Sequence, residues 1–202
     1  MSEVSAIDGP QTAGAQAVAR RAMIESQLRV SGVNDPAVLG AFAAIPREDF
    51  VSAERRALAY MDRAVPLGDG AVLAPALTHG QMLIAAAPIA GERALVVGKP
   101  GAYLAALLRA LGLVVTVASP ADDLAALGQF ALVMVDGAIE QVTPALEATV
   151  ADEGRLVTGL IERRVARLAL GRKAAGHVAL AALGEADFAA LPEFAAPKSW
   201  SF

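Results

Sequence analysis

The residues with chemistry to offer sit at a few turns. Gly98-Lys99-Pro100-Gly101-Ala102-Tyr103 follows the apolar run Ala94-Leu95-Val96-Val97 and opens the helical pattern from Ala102 to Leu111. Glycines at such a turn let the backbone approach a ligand, and the helix amides behind them meet its polar atoms. Gly98, Gly101 and Tyr103 are therefore candidate ligand contacts. Ser119 follows the next apolar run, and Asp136 with Gly137 follows the third; Asp-Gly is equally a turn signal. Thr78 offers a hydroxyl and His79 an imidazole, set against plainer roles as a helix cap and a surface side chain.

Composition excludes several other chemistries. With no cysteine there is neither a disulfide nor a thiol nucleophile, and two histidines are too few for a histidine-rich metal centre, so no metal is expected. A net charge of −4 argues against nucleic-acid binding, which rests on clustered Lys and Arg. The basic group Arg163, Arg164, Arg167, Arg172 and Lys173 is read as a solvated helix face, because Glu162 and apolar neighbours accompany it. The chain is 55% hydrophobic, yet its apolar stretches stop well short of the roughly 20 residues of a spanning helix; Met82 to Ala90 ends at Gly91-Glu92-Arg93. No membrane span or leader is expected, and the location that follows is cytoplasmic.

The elements that must position these residues change rhythm midway. Helical spacing runs from Ala13 to Ser31 and stops at Gly32; Asp35 and Pro36 are a cap and first position for a second helix, with Val38, Leu39 and Phe42 on its apolar side. A short helix is expected at Arg55 to Leu58, an irregular loop from Met61 to Pro75, and a helix from Thr78 to Ala87 capped by Thr78. Beyond Arg93, buried strands at 94–97, 113–117, 130–135 and 155–158 alternate with helices at 102–111, 122–127 and 144–150. That alternation predicts an α/β fold with a doubly wound, mostly parallel sheet: residues 1–92 form a helical and loop region packed on the sheet core of residues 93–202. Ligands of such sheets lie beyond the strand carboxyl ends, where Gly98 and Asp136 fall.

Several short motifs occur in one order: Met23-Ile24-Glu25-Ser26-Gln27-Leu28, Gly32-Val33-Asn34-Asp35, Ile45-Pro46-Arg47-Glu48-Asp49-Phe50-Val51, Ala59-Tyr60-Met61-Asp62 and Pro66-Leu67-Gly68. Gln141 to Leu146 and Glu153 to Val157 continue the series. From Met23 to Val157 the chain resembles the protein-L-isoaspartate O-methyltransferases. The resemblance implies a Rossmann-like fold that binds S-adenosylmethionine and methylates the carboxylate of isoaspartyl residues in damaged proteins or peptides. It places Gly98, Gly101, Tyr103, Ser119 and Asp136 on the cofactor side. Asp62, in its Ala-Tyr-x-Asp context, and Thr78 fall on the catalytic side, with a turn role for Asp62 weighing evenly. Transfer to a carboxylate needs positioning of an already nucleophilic oxygen and no general base.

The sequence departs from that family at four places. Pro100 and Ala102 replace glycines of the Gly-x-Gly-x-Gly-Tyr turn, and proline removes an amide there. The second strand ends Val117-Ala118-Ser119-Pro120 without the acidic residue that receives ribose hydroxyls; Asp122 and Asp123 either reach that group or serve as first-turn helix acids. Leu73-Ala74-Pro75 lacks the serine that meets the acceptor, and Gly128-Gln129 spans directly where a further helix and strand are expected. Two readings follow: an S-adenosylmethionine-dependent isoaspartyl methyltransferase, or a non-catalytic relative serving as a binding or assembly module, with a homodimer through the N-terminal helices as one arrangement. Binding of S-adenosylmethionine discriminates them.

Overall fold

Closely spaced punctuation residues divide the N-terminal region into short helical segments. In the computed structural model, which describes residues 10–68, 70–98 and 103–197, α1 (Pro10–Met23) runs on through a π-helical turn at Ile24–Leu28 and a 3-10 turn at Arg29–Ser31. Gly32 stops it at φ 89°, a conformation that costs glycine least. Asp35 caps α2 (Pro36–Ala44) as predicted, its Oδ1 accepting from the amides of Ala37 and Val38 at 2.9 Å each.

Two expectations for the next stretch fail. The irregular loop contains a small hairpin, β1 (Val65–Gly68) with β2 (Ala71–Leu73), whose strands are too short to show alternation. Gly68 and Gly70, at φ 104° and 71°, turn the chain between them. Thr78 is not a helix cap: α3 (Ala76–Ala86) starts earlier, Pro75 holds the cap position, and Thr78 lies buried in the first turn.

The sheet strands are β3 (Arg93–Val97), β4 (Val114–Ala118), β5 (Phe130–Ile139), β6 (Val150–Glu162), β7 (Val165–Ala174) and β8 (His177–Glu185). Their order is β4-β3-β5-β6-β7-β8, parallel through β6 and antiparallel beyond. The connections are α4 (Tyr103–Ala110) between β3 and β4, a 3-10 turn at Leu124–Leu127 between β4 and β5, and α5 (Pro144–Ala148) between β5 and β6. This is the Rossmann-like α/β architecture expected.

The basic group does not form a helix face. Arg163 and Arg164 are the β6–β7 turn, both with positive φ, while Arg167, Arg172 and Lys173 lie on β7. Lys173 is nearly buried, its Nζ donating to the carbonyls of Glu147 and Val150. Asp136-Gly137 does not turn the chain either: β5 continues through both to Ile139, where the carbonyl and amide of Ala138 pair with Leu191 and Ala189.

Two apolar cores flank the sheet. Val96, Leu132, Met134 and Val157 face the buried residues of α2, α3 and α4, so the N-terminal region and the sheet share one core. Leu95, Val97, Val133 and Val135 face Leu124, Leu146 and Phe194 on the other side. With Gly128-Gln129 leading straight into β5, no strand flanks β4 on its outer side among the described residues, and Val114 is 61% exposed rather than buried as predicted.

At the opposite, amino end of the strands, Arg155 on β6 is clamped by the carbonyls of Ala86 and Ala87 and by Glu92, whose Oε2 it meets at 2.7 Å. The hydrogen bond from Arg155 holds the Glu92 carboxyl below its usual range. A depressed folded-state value means stability that is present above the ordinary glutamate value and lost as pH falls through the folded one. The stability gap between the wild type and Glu92→Gln is expected to narrow as pH falls below about 4.5, measured by urea titration at several pH values. A gap constant with pH contradicts the pairing.

Candidate active site

β3 has β4 on one side and β5 on the other, so the chain reverses its winding between β3 and β5, and ligands of such sheets lie beyond the strand carboxyl ends at that point. Gly98 follows β3, held by its amide to the Ala118 carbonyl at 2.9 Å. A Cβ on Gly98 would stand 3.1 Å from Cβ of Asp136 on β5. The reason for glycine here is space between neighbouring strands. Two of the candidates, Gly98 and Asp136, are thus adjacent.

Tyr103 and His79 complete this floor. His79 is fully buried on α3, contrary to the surface role weighed for it, and its Nε2 lies 2.9 Å from Asp136 Oδ1. Its ring packs 5.7 Å from that of Tyr103, the first residue of α4. Burial pushes the Tyr103 hydroxyl well above the ordinary tyrosine value, so it stays neutral. Gly101 lies outside the described residues, as do Lys99, Pro100 and Ala102.

Arg47, which sequence reasoning did not single out beyond its place in a matched motif, lies under the site. It is fully buried, with its guanidinium 5.2 Å from the Tyr103 ring centroid, a cation–π contact. Nε donates to the Ala59 carbonyl at 2.6 Å and Nη2 to the Ala74 carbonyl. Burial lowers its pKa to about 10, which leaves it cationic at neutral pH. One side chain thereby ties together the turn before Asp62 and the segment before α3. Tyr60 braces it, its hydroxyl accepting from the Arg47 amide and donating to Glu48. Burial, then the bond to Glu48, raises the Tyr60 hydroxyl to about 12.

Asp62 and Thr78 meet in a neighbouring cleft of about 170 Å³, together with Gln81, Glu185 and Asp187. Thr78 Oγ1 donates to the Asp187 carbonyl at 3.1 Å, so the hydroxyl proton is already engaged. Ser119 stands apart at the end of β4: its amide donates to Asp122 Oδ2 at 2.8 Å and its Oγ accepts from the Ala121 amide at 3.3 Å. Asp122 closes this turn, and Asp123 precedes the 3-10 turn without a capping hydrogen bond. Among the described residues, no group of three potential metal ligands is present, and no helix is long and apolar enough to cross a membrane.

Residues 19–120 match the family described as protein-L-isoaspartate(D-aspartate) O-methyltransferase. Across 87% of its length the chain is 31% identical to the protein-L-isoaspartate O-methyltransferase of Koribacter versatilis, of which it covers 91%. The chain belongs to the protein-L-isoaspartate O-methyltransferase family. A second member, protein-L-isoaspartate O-methyltransferase 2 of an Anaeromyxobacter species, is 42% identical over 44% of this chain and 37% of its own length. The fold agrees with solved structures. One is a Plasmodium falciparum protein described as a protein-L-isoaspartate O-methyltransferase in complex with S-adenosyl-L-homocysteine; it has TM-score 0.72, 16% identity, and coverage of 86% of this chain and 98% of that one. A second protein-L-isoaspartate O-methyltransferase gives 0.71 at 17% identity, over 87% and 67% respectively.

Family membership accounts for the placement of the glycine turn. The His79–Asp136 pair and the buried Arg47 emerge from the geometry. For His79 the sequence signal is a histidine between Thr78 and Gln81 in a largely apolar helix, which does not reveal a partner 57 residues away.

Proposed function

We propose that this chain transfers the methyl group of S-adenosylmethionine to the carboxylate of isoaspartyl residues in damaged proteins or peptides. Its support is the family match together with the adjacency of Gly98 and Asp136 at the point where the sheet reverses its winding. The residues fit the amino-acid end of that cofactor: Gly98 presents no side chain, and Asp136 offers a carboxylate oxygen that has no hydrogen-bond partner among the described residues. At the ribose end Asp122 is engaged with the Ser119 amide, so Ser119, whose hydroxyl can still donate, is the polar group there. Gly98, Tyr103, Ser119 and Asp136 are assigned to the cofactor, and Gly101 is carried over from the sequence motif.

When bound, S-adenosylmethionine supplies an electrophilic methyl group on a sulfonium, and the sulfur keeps the bonding electron pair as a neutral thioether once the acceptor oxygen has taken the methyl. The chain has to align an oxygen that is already anionic, which makes positioning its main contribution. Asp62 and Thr78 are assigned to the acceptor side. Their cleft also holds Glu185 and Asp187, an acidic surround that suits the amide N–H groups of a peptide better than the reacting carboxylate. Arg47 holds the segments on both sides of that cleft in place through the Ala59 and Ala74 carbonyls.

The test is incubation with methyl-labelled S-adenosylmethionine and an isoaspartyl peptide. Base-labile label on the peptide is expected, and label on neither this peptide nor a damaged protein contradicts the proposal.

A further inference from the structure

We propose that His79 is a positioning residue that turns the Asp136 carboxylate toward the α-ammonium group of the bound cofactor. The inference rests on the cofactor reading above and deepens it. Asp136 follows Val135, the last residue of β5 paired with β3, its side chain 14% exposed, and among the described residues His79 is the only side chain that hydrogen-bonds to it. A largely buried carboxylate needs a cation or several donors to offset the loss of water. Arg47 supplies charge but no hydrogen bond: its buried guanidinium acts on Asp136 electrostatically, while Nε and Nη2 donate to the Ala59 and Ala74 carbonyls and its face lies over the Tyr103 ring. One carboxylate oxygen is left without a donor among the described residues, a place for a cationic donor on the ligand.

The imidazole fixes which oxygen is free. Its Nε2 donates to Oδ1, while Nδ1 is buried without a partner. A ring held only for packing leaves that lone pair unmade at a cost; here the cost accompanies a fixed orientation of the acid, as in other sites where a histidine and a carboxylate hold each other in register. α3 is a rigid mount, since Met82 and Leu83 on the same helix are fully buried. With Oδ1 taken, Oδ2 is the oxygen left for a ligand beside Gly98, where even a Cβ on residue 98 would stand 3.1 Å from the Asp136 Cβ. Of the cofactor's parts, the amino-acid end carries the ammonium. An anion at the sulfonium would instead hold the methyl donor in its charged ground state and repel the incoming acceptor carboxylate.

The proposal is tested by calorimetric binding of three ligands to the full chain. S-adenosylhomocysteine has the ammonium but no sulfonium, S-adenosylmethionine has both, and 5′-methylthioadenosine has neither. Asp136→Asn and His79→Phe are each expected to weaken S-adenosylhomocysteine and S-adenosylmethionine by about 10- to 100-fold, the loss of a charge-assisted hydrogen bond. Binding of 5′-methylthioadenosine should stay within about threefold, which also shows that the variants are folded. His79→Gln, which keeps an N–H donor, should restore most of the affinity for S-adenosylhomocysteine. Equal loss of all three ligands in His79→Phe makes His79 merely structural and overturns the proposal. Loss confined to S-adenosylmethionine overturns it too, by placing the carboxylate at the sulfonium. Wild-type protein that binds none of the three overturns the cofactor reading itself, and the proposal falls with it.

Discussion

Replacing Arg47 with methionine is expected to lower stability by about 3 kcal/mol, a drop in Tm of roughly 6–12 °C for a chain of this size. Two effects compete. Removing a fully buried guanidinium relieves its desolvation, the effect that brings its pKa down to about 10. Against this, the Ala59 and Ala74 carbonyls lose their donor, each unpaired buried carbonyl costing about 1–3 kcal/mol. The cation–π contact with Tyr103 adds about 1–2 kcal/mol more. The losses outweigh the gain because methionine brings no donor to either carbonyl. Arg47→Lys should recover part of the loss, as its single ammonium cannot reach both carbonyls with the geometry of the fork. Thermal and urea unfolding read the result, and an Arg47→Met variant as stable as the wild type would show that desolvation dominates.

Gly98→Val has the largest expected effect on ligand binding: a loss of at least ~100-fold in affinity for S-adenosylhomocysteine, equivalent to about 3 kcal/mol. Even the Cβ would stand 3.1 Å from Cβ of Asp136, tighter than ordinary packing, and two further methyls add bulk at the position assigned to the cofactor. Gly98→Ala should be milder, since Asp136 has only to yield by a few tenths of an ångström. Calorimetry gives the affinity, and an unfolding curve separates local obstruction from loss of fold. Wild-type affinity in Gly98→Val would place the ligand elsewhere.

Much of the architecture is legible in the sequence where one local interaction decides it. Asp35 and Pro36 start a helix because a carboxylate beside a first-position proline has little else to do, and Gly32 stops one because the chain takes positive φ there. The strands at 94–97 and 130–135 show as continuous apolar runs because both faces are covered. The hairpin of β7 and β8 is hidden by its composition. Charged residues on β7 imitate a helix face, and most of β8 is exposed, so neither strand carries the apolar signature of the central ones.

The site is legible only in its backbone. Gly98 and Tyr103 lie just after a strand and at a helix start, positions that the alternation of elements predicts, while Asp136 lies on β5, which runs on past its predicted end. His79 and Arg47 act through contacts between residues 57 and 27 positions apart, which no local pattern encodes. Asp136-Gly137 misleads because an Asp-Gly pair has the chemistry of a turn, while here Gly137 leaves room for Leu191 packed directly against the strand. Asp122, weighed for the ribose or as a first-turn helix acid, accepts from the Ser119 amide in one local turn.

The central claim is tested most directly by a competition between two peptides of one sequence, one with an isoaspartyl linkage and one with an ordinary aspartyl linkage. Both are incubated with this protein and S-adenosylmethionine, and the products are mapped by mass spectrometry. The account predicts a methyl ester on the isoaspartyl carboxylate alone, with its rate falling in Gly98→Val. No ester on either peptide, or equal esterification of both, would contradict it.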